Sequence, residues 1–358
     1  MSISLGELRK SLAANDIRYT TLKLQNGRIL LITEDAGRIF GPYTNEATSV
    51  GMSWVSEHLR TPESFHAFLV DHHWNIGGDR VWIAPEFPFF TKDRNRFNET
   101  YTVQGSIDPG HYHFCSNTKE RVVLKADLYA ELYEHIYPRK TFHMQRTVTP
   151  SGNPLQGAYE YSSYMNDVSF CGFDQTINLE DTSPEYPMQL EIWNLFQVRS
   201  GGVFLLPYLG NTFEFVDYYT PSMGKVLQVE PGYAKIKVAS CGEHKIGAKA
   251  FNTFGRIGYL QEIGNDEWQL LIRNYYNDPS TSYIKEPSDQ PGKTGCSLFV
   301  YMNDTRGDGF AELETAGRTF QAPNQIRSTL TLNYWFFSSS LHKLKDIIRC
   351  LLNINYVE

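Results

Sequence analysis

From residue 17 onward the chain is cut into short runs rich in β-branched and aromatic residues, separated by Gly, Pro, Asn or Asp, and this pattern leaves few folds open. Ile17 to Gln25 and Arg28 to Thr33 flank Asn26-Gly27, the dipeptide best suited to a hairpin whose two central residues need positive φ. Further strands are predicted at Gly37 to Phe40, Val122 to Tyr129, Lys140 to Thr149, Gln189 to Arg199, Val203 to Leu206 and Val226 to Val229. Others follow at Ala234 to Val238, Gln269 to Tyr276, Ser297 to Met302 and Ser328 to Phe337. One open sheet of this size would twist away from itself and leave half its apolar faces wet. The prediction is therefore an all-β chain built as a large antiparallel two-sheet sandwich.

Helices are expected at the ends. Ser4 and Glu7 have capping-box spacing, with Leu5, Leu8 and Leu12 on one face. Leu341, Leu344, Ile347, Ile348, Leu351 and Leu352 recur at helical spacing in Ser340 to Asn353. Asn45 to Leu59 reads as a helix or a long loop. The organisation expected is a helical extension over residues 1–16, one β domain over 17–338 and a C-terminal helix over 339–358 packed on it.

Bulk composition narrows the function classes. A formal net charge of −7 with no Arg-rich stripe argues against a general nucleic-acid binder, because phosphate neutralisation needs clustered cations. The five cysteines are scattered without a close pair, so free thiols are expected and no zinc ribbon or redox pair. Met1 to Leu8 lacks the charged and apolar regions of a secretory signal, and no apolar run reaches membrane-spanning length. A cytoplasmic protein with no membrane partner is expected, while the oligomeric state is open. Aromatic residues make up 14% of the chain, and its 22 tyrosines suit a site that must both stack on and hydrogen-bond to a polar ligand.

The segment His72-His73-Trp74-Asn75-Ile76-Gly77-Gly78-Asp79-Arg80-Val81-Trp82-Ile83-Ala84-Pro85-Glu86 threads charged groups among large apolar ones. Charges avoid the interior unless paired, so such a segment reads as a cleft wall. The turn signal at Asn75 to Gly78 argues against one continuous strand. Far downstream, alternation in Phe310 to Gly317 puts Glu312 and Glu314 on one strand face and Ala311, Leu313 and Thr315 on the other. Together the two segments would supply an acid, a base and a clamp. A metal site at Asp71, His72 and His73 is disfavoured, since neighbours on an extended chain point apart. Asn303 to Gly309 has a calcium-loop composition but lacks the spaced Glu of an EF-hand, and it reads as a turn. No cofactor or metal is called.

Four segments, in order, resemble landmarks of the galactose mutarotase-like superfamily in its bacterial branches: Gly77 to Glu86, Leu190-Glu191-Ile192-Trp193-Asn194-Leu195, Lys245-Ile246-Gly247, and Ala311-Glu312-Leu313-Glu314-Thr315. The resemblance covers roughly residues 20 to 338. It implies a β-supersandwich and a carbohydrate ligand, small or oligomeric, with aldose 1-epimerase-like chemistry on a sugar hemiacetal. By motif position Glu314 would be the base, its pKa raised by burial. His73, or His72 in its place, would be the acid, since an imidazole needs only a small shift to hold a proton near neutrality. Arg80 would clamp hydroxyls and Trp82 or Trp74 would stack on the ring, with Glu86, Glu312 and Trp193 as further contacts. Two positions depart from the epimerases: Ala316 follows the base where they have Gln, and Trp193 and Asn194 stand where they carry a His acid. The alternatives are a binding protein without turnover, or a polysaccharide lyase or hydrolase. A paired-carboxylate hydrolase would need Glu86 and Glu314 about 5 to 9.5 Å apart.

Overall fold

The structure, a computed structural model, describes residues 3–47, 51–133, 138–219, 226–238, 242–303 and 309–357. Residues 304–308 of the calcium-like segment and Cys241 lie outside these, while Cys115, Cys171, Cys296 and Cys350 are free thiols. Two large antiparallel sheets form the body of the molecule. One runs Tyr19–Lys23, Ile29–Thr33, Ile39–Tyr43, Asp79–Ala84, Glu191–Arg199, Phe310–Ala316, Cys296–Met302, His244–Lys249, Phe215–Asp217 in order of pairing. The other runs Leu227–Glu230, Tyr233–Lys237, Val203–Pro207, Arg256–Gly264, Glu267–Tyr275, Arg327–Ser339, Ser169–Asp181, Arg139–Pro150, Val122–Glu131, Tyr112–Asn117. The expected all-β sandwich is present. At Asn26-Gly27 both residues take positive φ, 54° and 69°, and the Arg28 amide donates to the Gln25 carbonyl.

Burial follows the strand period. In Val122–Glu131, Leu124, Ala126, Leu128 and Ala130 face the interior while Lys125, Asp127 and Tyr129 face water. The strands Asp79–Ala84 and Phe310–Ala316 are buried at every position, so both of their faces are covered. Leu124, Phe142, Met144 and Ile177 of one sheet and Val81, Ile83, Ile192 and Leu313 of the other share one core cluster. The N-terminal helix, Leu5–Ala14, carries the reciprocal Ser4–Glu7 capping box. The C-terminal helix, Leu341–Leu352, buries Leu344, Ile347, Ile348, Leu351 and Leu352 in one cluster with Leu205, Leu260, Leu270, Ile272 and Phe337 of the ten-stranded sheet.

Asn45 to Leu59 is no long helix where it is described; it runs irregularly into a 3-10 turn at Glu57–Arg60. A helix does form just beyond, at Pro62–Val70, where Thr61 accepts from the Ser64 amide and Pro62 opens the first turn. The chain then turns at Gly77 and Gly78, φ 98° and 75°, before the strand starts at Asp79.

That strand splits two charges between opposite faces. Asp79 points between the sheets, where its carboxylate receives Arg146 Nη2 at 2.6 Å, Gln175 Nε2 at 3.0 Å, Asn194 Nδ2 at 3.0 Å and the Tyr334 hydroxyl at 2.5 Å. Arg146, Gln175 and Tyr334 belong to three adjacent strands of the facing sheet, so one carboxylate ties the layers together. Arg273 closes the group, donating to Tyr334 Oη at 2.6 Å and to the Leu313 carbonyl at 2.6 Å.

A strap over residues 276–295 crosses from one sheet to the other and covers part of the outer face of the nine-stranded sheet. Glu191 anchors it: Oε1 accepts the Ile284 amide at 2.6 Å and the Thr319 hydroxyl at 2.6 Å. Burial lifts the Glu191 carboxyl from the ordinary 4.5 to about 7, against the opposing hydrogen bonds from Thr319 and Ile284.

Asp79→Asn keeps the shape but leaves Arg146 without its buried counter-charge, and urea unfolding should show a loss of about 3–5 kcal/mol. Glu191 yields a pH effect. Its folded pKa lies above its unfolded one, so the folded chain holds an extra proton between pH 4.5 and about 7 and stability falls as pH rises through that window. The expected fall is roughly 3 kcal/mol, and unfolding curves of Glu191→Gln, neutral throughout, should lose this slope.

Candidate functional site

The outer face of the nine-stranded sheet carries a cleft of about 310 Å³. Register assembles its floor. Glu312, Tyr301 and Lys245 pair in one row across three strands, and Arg80, Leu195 and Glu314 pair in the next. Because strand side chains alternate, all of these leave the sheet on the same side as Trp82 and Trp193. Asp79, Val81 and Ile83 go inward. The walls are Trp74, Asn75, Glu86, Phe97, Tyr101, Tyr219 and Glu243.

Arg80 is only 3% exposed. Its Nη2 donates to Glu312 Oε1 at 2.8 Å, and its guanidinium carbon lies 4.7 Å from the Trp82 ring centre and 5.1 Å from that of Trp74. Among the described residues its Nε and Nη1 have no hydrogen-bond partner. A buried guanidinium with unmade bonds in a cleft floor is ready to receive acceptor oxygens. Trp82 is itself held, its Nε1 donating to Asp108 Oδ2 at 2.9 Å and its ring stacked on Phe90.

Glu312 and Glu314 have opposite acidities. Burial raises the Glu312 pKa; the Arg80 guanidinium opposes that rise and the neighbouring Glu314 charge adds to it. Gln197 Nε2 also donates to Oε1, at 2.8 Å, so both neutralising donors use the same oxygen of Glu312. Glu314 feels the same burial, but Lys245 at 3.0 Å and then Lys285 at 3.5 Å outweigh it and hold its pKa below the ordinary value. Trp193 Nε1 donates to Glu314 Oε2 at 2.8 Å. The raised pKa expected for Glu314 is thus reversed, because two lysines meet it. Burial pulls Lys245 down, yet Glu314 and then Glu86 bring it out above the ordinary lysine value.

The structure brings together Arg80, Trp82, Glu86, Trp74, Glu312, Trp193 and Glu314 as lining residues of one cleft. It does not bring in His72 or His73. Both are exposed at the exit of the Pro62–Val70 helix, where their amides bond to the Leu69 and Phe68 carbonyls, and the His73 ring lies 5.1 Å from that of Phe68. The helix exit, not the cleft, sets their direction. Lys245, Tyr101, Tyr219, Tyr301 and Glu243 line the cleft without having been singled out. The abundance of tyrosine and the Lys245-Ile246-Gly247 landmark were the available signals. Among the described residues, no three His, Cys, Asp or Glu side chains gather for a metal ion. No helix among them is long and apolar enough to cross a membrane.

No family model matches the sequence. No curated protein matches it either. In three dimensions the chain is similar to a galactose mutarotase-like protein from Lactobacillus casei ATCC 334, with a TM-score of 0.49 and 10% identity over 89% of this chain and 100% of that one. It is also similar to the galactose mutarotase related enzyme from Lactobacillus acidophilus, with a TM-score of 0.46 and 9% identity over 88% and 97%. The GalM/aldose epimerase homologue from C. elegans gives 0.40 and 10% over 90% and 99%.

Proposed function

We propose that the cleft binds a sugar and catalyses ring opening at its hemiacetal, as an aldose 1-epimerase-like enzyme. The observation that carries this reading is the pair Glu312 and Glu314, two carboxyls on one strand face whose surroundings push their acidities apart. Such a split assigns an acid and a base within one site. Glu314, kept ionised by Lys245 and Lys285, takes the proton of the anomeric hydroxyl. Glu312, whose Arg80 and Gln197 bonds both fall on Oε1, carries a proton on Oε2 for the ring oxygen. Ring opening, rotation about the first carbon-carbon bond and closure then return both protons, so no co-reactant is needed. Arg80 Nη1 supplies a donor for a sugar hydroxyl, and Trp74 offers a partly exposed face to the C–H side of the ring.

One feature favours a second reading, binding without turnover: both Glu314 oxygens are engaged, by Lys245 and by Trp193, which lowers its basicity. A paired-carboxylate hydrolase is opposed by Lys285, whose ammonium stands between Glu86 at 3.6 Å and Glu314 at 3.5 Å where an open groove would be required.

Anomer exchange followed by NMR over a panel of free aldoses should be faster with protein than in buffer. Glu314→Gln should slow it about 10²–10⁴-fold, the range for a positioned proton carrier, with sugar binding retained. Saturable sugar binding with no acceleration would select the second reading, and no binding to any sugar would end both.

A further inference from the structure

We propose that Lys285 is a positioning residue that sets how tightly Glu314 holds a proton, acting from the strap beside the cleft through the space between Glu314 and Glu86. The proposal rests on the reading of Glu314 as the base, but the arrangement behind it stands on its own geometry.

Lys285 arrives on the strap over residues 276–295. The strap is pinned by the Ile284 amide on Glu191, by the Tyr218 hydroxyl donating to the Lys285 carbonyl at 3.0 Å, and by Arg94 donating to the Pro287 and Ser288 carbonyls at 2.6 and 2.7 Å. Its side chain is fully buried, and Nζ lies 2.8 Å from the centre of the Trp193 ring. That Nζ makes no hydrogen bond among the described residues. A buried amine that forms no hydrogen bond contributes little to stability that a Met of similar length would not. Its neighbours carry the argument. Glu314, Glu86, Glu191, Lys245, Cys296 and Tyr218 face it from the surrounding strands, the short helix Glu86–Phe90 and the Tyr218 segment.

Burial first, then Lys245, bring the Lys285 amine down to about 7, against the pull of Glu86 and Glu314. The cleft therefore loses a cation as pH rises through neutrality. Below that point the ammonium shares Glu314 with Lys245 and holds the carboxylate as a weak base. Above it Glu314 keeps only Lys245 and becomes the stronger base.

The Trp193 indole N–H, bonded to Glu314 Oε2 at 2.8 Å with its ring under Lys285 Nζ, reports both events without any sugar. In a pH series on indole-¹⁵N-labelled protein, its resonance, assigned by its loss in Trp193→Phe, should shift with a midpoint near 7. Lys285→Met should abolish that transition, Lys285→Arg should freeze the resonance at its low-pH position, and Glu191→Gln should leave the transition in place. A transition that persists in Lys285→Met or Lys285→Arg, one that vanishes in Glu191→Gln, or none in the wild type overturns the proposal. If Lys285→Met does not fold, the Arg variant decides alone. Where anomer exchange is measurable, Lys285→Met and Lys285→Arg should lose the inflection near pH 7 in its rate, and Glu191→Gln should keep it. Absence of exchange on every sugar would fail the enzymatic reading while leaving the resonance test intact.

Discussion

Two adjacent residues on one strand, Asp79 and Arg80, organise this molecule by pointing in opposite directions. Asp79 gathers a guanidinium, two amides and a phenol across the sandwich. A carboxylate stripped of water is tolerated only when its lone pairs are filled, and here partners from both sheets fill them. Pinning Asp79 fixes the phase of the strand, so Arg80 must emerge on the other side. A slip of one residue would bury Arg80 between the sheets and put Asp79 in the cleft. The position of Arg80 is thus a by-product of how the two layers are held.

The cleft floor obeys a different rule. Carboxylates and cations are interleaved there: Arg80 with Glu312, Lys245 with Glu314, and Lys285 between Glu314 and Glu86. In a buried setting each charge depends on its neighbours: burial raises both carboxyls, yet they end on opposite sides of the ordinary value because Glu312 has one guanidinium and a nearby anion while Glu314 has two ammonium groups. The two glutamates differ by surroundings alone.

Much of this was legible in the chain and part of it was not. The strand period is local, so the hairpin at Asn26-Gly27, the shared face of Glu312 and Glu314 and the apolar stripe of the C-terminal helix could be read from spacing. Arg80 and Glu314 could be placed in one hollow because their segments look like cleft walls. The acid could not be placed. His72 and His73 precede the turn at Gly77-Gly78, and their direction is set by the preceding helix, whose cap at Thr61-Pro62 went unread. Lys245 meets Glu314 only through the pairing of three strands, and Lys285 only because a strap crosses between sheets. Neither meeting leaves a mark in local sequence, which is why the sign of the Glu314 shift was missed.

The division of labour between floor and walls has a consequence for how such a molecule can change. Arg80, Lys245, Glu312 and Glu314 sit on paired strands whose register is locked from behind, whereas Trp74, Phe97, Tyr101 and Tyr219 come from connecting segments outside the ladders. Replacing the segments that carry these four aromatic residues alters the outline presented to a visitor and leaves the charges on the paired strands where they are. Shape and charge are separable here: the outline of the hollow can drift while the row of charges along its base stays the same.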